Sequence, residues 1–288
     1  MFEELPPARF PTDFPEIIDA GGLGKGKPLG GFGGDSALDR EGHRAAVRRN
    51  PVILVHGNGG SSQHATWGME TLRDRLKGAG YRDCEIWALD YLGRGNTSAS
   101  LPNPISENVD DLRHFVDQVR AYLGVDKVDI IGHSLGASLG RGYLTGLQSN
   151  GTFDPAQRRF DAVGTLIVLG AANYGLGKTA PGEFRTGSPV EAGLHKVDDV
   201  VDDTPYGSTT PPPPLNEVTA LDNNAITYGA FLATGDFCEK QLEGTGRLSG
   251  ADVNRAFDFE GEPLKRHELL IKDEGVFQAM LPLLNQKR

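Results

Sequence analysis

Apolar and polar positions along the chain follow two rhythms in alternation. Short apolar runs recur at Pro51-Val52-Ile53-Leu54-Val55, Cys84 to Tyr91, Lys127-Val128-Asp129-Ile130-Ile131, Ala162 to Ala172 and Ile226 to Thr234, with a weaker one at Val253 to Phe259. Runs of this length, rich in β-branched residues, read as strands buried on both faces, as in a parallel sheet. Between them the period lengthens to that of a helix. One helix is expected near Thr66 to Gly80, and another from Ser106, which stands as an N-cap before the early acid Glu107. Its apolar face is Val109, Leu112, Phe115, Val116, Val119 and Leu123. A helix follows Ser134, and a closing helix runs from about Asp273 to Asn285. The alternation predicts an α/β fold: a mostly parallel, twisted sheet with helices on both faces, in one domain over residues 51–288.

Two stretches stand outside this rhythm. Residues 1–50 have no strong period and are expected to form an extended arm wrapping the domain. Their Gly-rich piece, Gly21-Gly22-Leu23-Gly24-Lys25-Gly26 and on through Gly30 to Gly34, lacks both a leading strand and the G-K-[ST] ending of a phosphate loop. Residues 174–224, with Pro211 to Pro214 and the acidic run Asp198 to Asp203, form a long insert. Inserts of this length in compact domains are usually functional, so a lid or substrate loop is expected there.

Composition narrows the function classes. The chain has 288 residues and a net charge of −10, which repels nucleic acid phosphates. No apolar run reaches the roughly 20 residues of a membrane span. The start, MFEELPPARFPTDFPE, has no secretory n- and h-region, so the expectation is a protein kept inside the cell, or one whose signal is not in this sequence. Cys84 and Cys238 fall on opposite sides of the expected sheet, roughly 19 Å apart by strand spacing, so both are expected to be free.

The candidate chemistry begins at Gly132-His133-Ser134-Leu135-Gly136. A G-x-S-x-G pentapeptide arises easily by chance in a chain with 39 glycines. Here a strand precedes it and a helix follows, the context that turns it into a nucleophile elbow. A serine hydroxyl needs a base held in the right tautomer by a buried acid. Among the 7 histidines, His267 is singled out, on the loop past the last strand and before the closing helix. His133 packs beside the elbow and His56 sits in the turn after the first strong strand. His43, His64, His114 and His195 have no motif around them.

The acid should follow a strand between Ser134 and His267, and Asp236 does so. Glu239 is the fallback. Asp198, Asp199, Asp202 and Asp203 read as a solvated run, Asp222 precedes its strand, and Asp258 lies within the weak last one. Backbone N–H groups to hold an oxyanion are expected from Leu135 and from Asn58 in His56-Gly57-Asn58-Gly59-Gly60. Metal-ligand spacings and a dinucleotide fingerprint are missing, so acyl transfer to water without metal or cofactor is implied.

The pieces PVILVHGNGG, DIIGHSLGASLG, LATGDF and KRHELL resemble the α/β-hydrolase superfamily from about Pro51 onward. VHGNGG followed by Trp67, GHSLG, and VLGAANYG are similar to the bacterial class 2 lipases and to the polyhydroxyalkanoate depolymerases built on that lipase type. The resemblance implies an α/β-hydrolase fold and hydrolysis of a carboxylic ester, lipid or polyester, through Ser134, Asp236 and His267 with backbone donors at Asn58 and Leu135. The N-terminal arm and the long insert depart from the compact members of that group. Thioesterase, amidase, acyltransferase and non-catalytic binding readings share the same frame. Substrate, compartment and oligomeric state are not legible in the sequence.

Overall fold

The computed structural model describes residues 8–20, 25–91, 105–195, 226–248 and 251–284. A 7-stranded sheet runs in the order β1-β3-β2-β4-β5-β6-β7. Its strands are β1 (Gly30–Gly33), β2 (Val52–Val55), β3 (Ile86–Asp90), β4 (Val128–His133), β5 (Val163–Leu169), β6 (Thr227–Ala233) and β7 (Val253–Phe257). Every neighbouring pair is parallel except β1 with β3. The helices are α1 (Arg40–Ala46), α2 (Glu70–Gly78), α3 (Ile105–Leu123), α4 (Leu135–Thr145), α5 (Pro189–His195), α6 (Phe237–Gln241), α7 (Pro263–Lys272) and α8 (Glu274–Leu284).

Uninterrupted apolar strands are explained by the core they divide. On β2, Ile53 and Val55 join a cluster with the α3 residues Val109, Leu112, Phe115 and Val116. Val52 and Leu54 join the opposite cluster with Leu72 and Leu76 of α2 and Val276 and Met280 of α8. Successive side chains thus point to opposite faces, and each face is covered by helices. Chain order moves to one side of β2 for β3 and to the other for β4, so the strand order reverses between β2 and β4. Ligands in open α/β sheets bind outside the carboxyl ends of strands at such a switch point.

Some element boundaries differ from the sequence expectation, each for a local reason. Helix α2 begins at Glu70 because residues 61–69 are wound in turns: Met69 N donates to Ser62 O at 2.8 Å and Gly68 N to His64 O at 2.8 Å. Ser106 lies inside α3 and does not cap it. The Glu183 carboxylate caps instead, accepting from Ile105 N at 2.5 Å and Ser106 N at 3.0 Å. That cap comes from a distant part of the chain, so no local pattern announces it.

The N-terminal segment carries more structure than an extended arm. Residues 30–33 form an antiparallel edge strand on β3, and residues 40–46 form α1. Arg9 runs along β1, with Arg9 N donating to Gly31 O at 2.9 Å and accepting from Gly33 N at 3.0 Å through its own carbonyl. A side chain on Gly31 would overlap the Ala88 carbonyl oxygen, and one on Gly33 would overlap the Trp87 ring. The glycines that suggested a loop are there so that backbone can lie flat on β3. Phe14 then covers Trp87 at a centroid distance of 4.9 Å. Cys84 and Cys238 are both buried and free, and β3 and β6 are separated by β2, β4 and β5.

Candidate active site

Ser134 stands between the end of β4 and the start of α4, with φ 53° and ψ −119°. It is the non-glycine residue with positive φ among the described residues. Such a backbone costs on the order of 1–3 kcal/mol and persists where the surroundings fix it. Here Ser134 N donates to Leu169 O at 2.8 Å and Ser134 O accepts from Ala137 N at 3.0 Å. The neighbouring glycines make the turn possible. A side chain on Gly132 would overlap the Gly136 carbonyl, and one on Gly136 would overlap the carbonyls of Val55 and His56. Helix α4 therefore starts hard against the end of β2. Ser134 is half-buried at the carboxyl edge of the sheet.

Asp236 follows β6 and is fully buried. One carboxylate oxygen caps α6 by accepting from Glu239 N at 2.9 Å. The other accepts from His267 Nδ1 at 3.0 Å. Because Nδ1–H donates, the neutral imidazole keeps its lone pair on Nε2. The sequence predicts a loop around His267; in the structure it lies inside α7. Leu270 and Ile271, one turn on, are buried in the core and hold that helix on the sheet. The imidazole is thereby fixed by a helix rather than by loop closure.

The imidazole has a shaped seat. Gly170, at the end of β5, has φ +56°, and a side chain there would come within 2.8 Å of His267 Cε1 and Nδ1. The His133 ring lies 4.5 Å away, and its Nε2–H donates to His267 O at 3.1 Å. Burial, with His267 beside it, pushes the pKa of His133 well below the usual histidine range, so His133 is neutral at pH 7. Trp67 stacks on His133 at 6.3 Å, and Phe237 meets His267 edge-on at 6.2 Å.

The other candidates are engaged elsewhere or lie outside the described residues. Glu239 turns its carboxylate to Gly244 N at 2.9 Å and Gly246 N at 2.8 Å, and burial raises its pKa. His43 is buried against Asp35 N at 2.9 Å, His64 accepts from Trp67 N at 3.0 Å, and His114 is exposed. Asp258 is exposed just past β7. Asp198, Asp199, Asp202, Asp203 and Asp222 lie outside the described residues, as do residues 196–224 of the insert.

Ser134, Leu135 and Asn58 line one cavity of about 370 Å³. Gly57 brings the loop after β2 against the elbow: a side chain there would sit 3.0 Å from Ser134 Cβ. One wall is Leu176, Ala180, Pro181 and Phe184, from the described first part of the insert. Phe237 and Cys238 line the same cavity. The sequence reading gave Cys238 no place in the site. Its Sγ–H donates to Gly170 O at 3.4 Å, and burial holds the thiol pKa well above its usual value. Its two-residue distance from Asp236 was the signal that could have placed it. Asp236, Cys238 and His267 offer ligand atoms within 4.8 Å of one another, the set among the described residues able to share a metal ion. As arranged, the carboxylate and imidazole are bonded to each other and the thiol keeps its proton.

The family model of class 2 lipases matches residues 49–189, the segment from β2 through the elbow to the cavity wall. Over 96 residues the chain is 32% identical to a proline iminopeptidase of Heyndrickxia coagulans, a match covering 32% of this chain and 29% of that protein. The chain thus spans less than a third of that relative's length. Among solved structures, the product of the gene lin2722 of Listeria innocua superposes with a TM-score of 0.50 at 12% identity, over 83% of this chain and 95% of that one. Esterase 2 of Thermogutta terrifontis aligns with a TM-score of 0.47 at 15% identity, over 96% and 98% of the two chains.

Proposed function

From an α/β-hydrolase fold that resembles the class 2 lipases, we propose that this chain is a serine hydrolase of carboxylic esters. The observation that carries the reading is the conjunction at one sheet edge of a strained Ser134 and a buried Asp236–His267 hydrogen bond. Ser134 Oγ attacks the ester carbonyl as His267 Nε2 takes its proton. Asp236 holds the imidazole in the tautomer that leaves Nε2 free and stabilises the imidazolium that forms. The backbone N–H groups of Leu135 and Asn58 receive the oxyanion. As the tetrahedral intermediate collapses, the imidazolium returns its proton to the leaving alkoxide. Water, deprotonated by the same Nε2, then releases the acid from the acyl-enzyme at Ser134.

Hydrolysis of p-nitrophenyl esters, from acetate to long acyl chains, tests the reading. Ser134→Ala is expected to abolish turnover and fluorophosphonate labelling while leaving the thermal melt unchanged. Asp236→Asn is expected to lower kcat by about 10⁴-fold, because the amide imposes the wrong tautomer on His267. Glu239→Gln should cost far less. Hydrolysis of a prolyl anilide in place of every ester, or full activity in Ser134→Ala, would overturn the proposal. The same series with polyhydroxybutyrate included separates lipid from polyester substrates.

A further inference from the structure

The loop that carries Asn58 is held at both ends by two consecutive residues of one strand end. At its start, Tyr91 Oη–H donates to His56 O at 2.9 Å. At its far end, the Asp90 carboxylate accepts the N–H of Ser62. Residues 57–61 span the gap between these anchors and close on themselves through Gly60 N to Gly57 O at 3.1 Å. The Tyr91 ring lies flat on the His56 imidazole, 4.2 Å between centroids and 6° between planes.

His56 Nδ1–H donates to Gly57 O at 2.8 Å, so its second nitrogen, Nε2, faces Asp90 Oδ1 at 3.9 Å. His56, Asp90 and Tyr91 are each 1% exposed, and Ser61 and Ser62 0%. A carboxylate, an imidazole and two serine hydroxyls are therefore taken out of water around this loop. Packing alone would be served better by apolar side chains, since burying such groups is unfavourable unless each is well bonded. What the bonds of Tyr91 Oη and the Asp90 carboxylate supply is direction. They fix where the peptide units of residues 57–61 point, and Gly57 of that loop is packed directly on Ser134.

We propose that Asp90 and Tyr91 are positioning residues that clamp the oxyanion loop, setting the direction of the Asn58 N–H toward the carbonyl oxygen of an ester bound at Ser134. The proposal rests on the ester hydrolase reading above. Aim matters here because an oxyanion donor acts only over hydrogen-bond distance, on charge that develops in the transition state. Loosening either anchor leaves ground-state binding alone and weakens the transition state.

Steady-state kinetics of Tyr91→Phe, Asp90→Asn and Asp90→Ala test this, together with inhibition by a trifluoromethyl ketone, whose hydroxyl-bound adduct carries the oxyanion. Tyr91→Phe and Asp90→Ala are expected to lower kcat by about 10- to 100-fold with KM within about twofold. Asp90→Asn, which keeps an oxygen for Ser62 N, should fall between Asp90→Ala and wild type. Affinity for the ketone should drop by the same factor as kcat/KM, while a competitive carboxylic acid product binds unchanged. If Asp90→Ala does not fold, Tyr91→Phe, which removes one oxygen atom, carries the test. Variants that keep wild-type kcat and ketone affinity, or that raise KM alone, would overturn the clamp and leave the hydrolase reading standing. A wild type inert to every ester and to fluorophosphonate would remove both.

Discussion

Ser134 keeps an unfavourable backbone because three glycines near it, Gly57, Gly132 and Gly136, let β2, β4 and α4 meet at one point. The stringency is greatest at Gly136, where an added methyl group would overlap two backbone carbonyls that belong to a fully buried strand end. Nothing flexible is available to give way. Gly136→Ala should therefore lower Tm by at least about 3–10 °C, the range expected of overpacking by a few kcal/mol in a chain of this size. Differential scanning calorimetry would show it, and an unchanged Tm would mean that α4 can move off β2. At this scale the residue types of the candidate site were legible, since a serine between strand and helix and an acid after a strand are local patterns. Gly170 was not, because it meets His267 only across the folded chain, and the contact of Trp67 with His267 was hidden for the same reason.

The five strong apolar runs at the level of elements became β2 to β6, and the weak run became β7, within a few residues at each end. Burial on both faces makes such strands continuous in hydrophobicity, so they are easily read. β1 was missed for the opposite reason. Its sequence, GGFG, has neither alternation nor β-branching, and it is a strand because β3 offers it a flat ladder and Arg9 seals its outer side. The start of α3 was displaced because its cap, Glu183, is 77 residues from Ser106. His267 was put on a loop because the short run after β7 carries Pro263 at its start, which here is the first turn of α7. The described part of the insert forms a wall beside Ser134, and the position of Glu183 ties that wall to α3.

For the molecule as a whole, the sheet carries unusual titrations in its interior. Asp129, in β4, is 1% exposed, and burial raises its pKa from 3.8 to about 7 although Asn50 Nδ2 donates to it at 3.1 Å. Between pH 4 and about 7 the folded chain holds a proton that the unfolded chain has lost. Unfolding then releases protons, so stability falls as pH rises through this window and levels off above it. Asp111, on α3, acts in the same sense up to about pH 8, raised by burial and by the neighbouring Asp19. Asp129→Asn should remove its share. Thermal melts at pH 5 and pH 8 are expected to show a Tm raised more at pH 8 than at pH 5, whereas an equal shift at both would rule out titration of Asp129 as the cause. Among the described residues no helix is long and apolar enough to cross a membrane.

The two tryptophans of the chain occupy opposite situations. Trp87 is sealed in the core, its Nε1–H donating to Cys84 O at 3.0 Å. Trp67 is half-buried, 6.3 Å from the His133 ring and 6.4 Å from His267. A charged imidazole beside an excited indole drains its emission, whereas a neutral one does so far less. The emission of Trp67 is therefore expected to respond to a charge on His267, with that of Trp87, far from the site, as the reference. On the proposed mechanism, mixing the chain with a trifluoromethyl ketone, whose adduct at Ser134 holds the imidazolium, should lower the emission in a stopped-flow fluorimeter, a signal that Trp67→Phe removes. If Ser134 is the proposed nucleophile, Trp67 is an optical gauge of the proton it gives up.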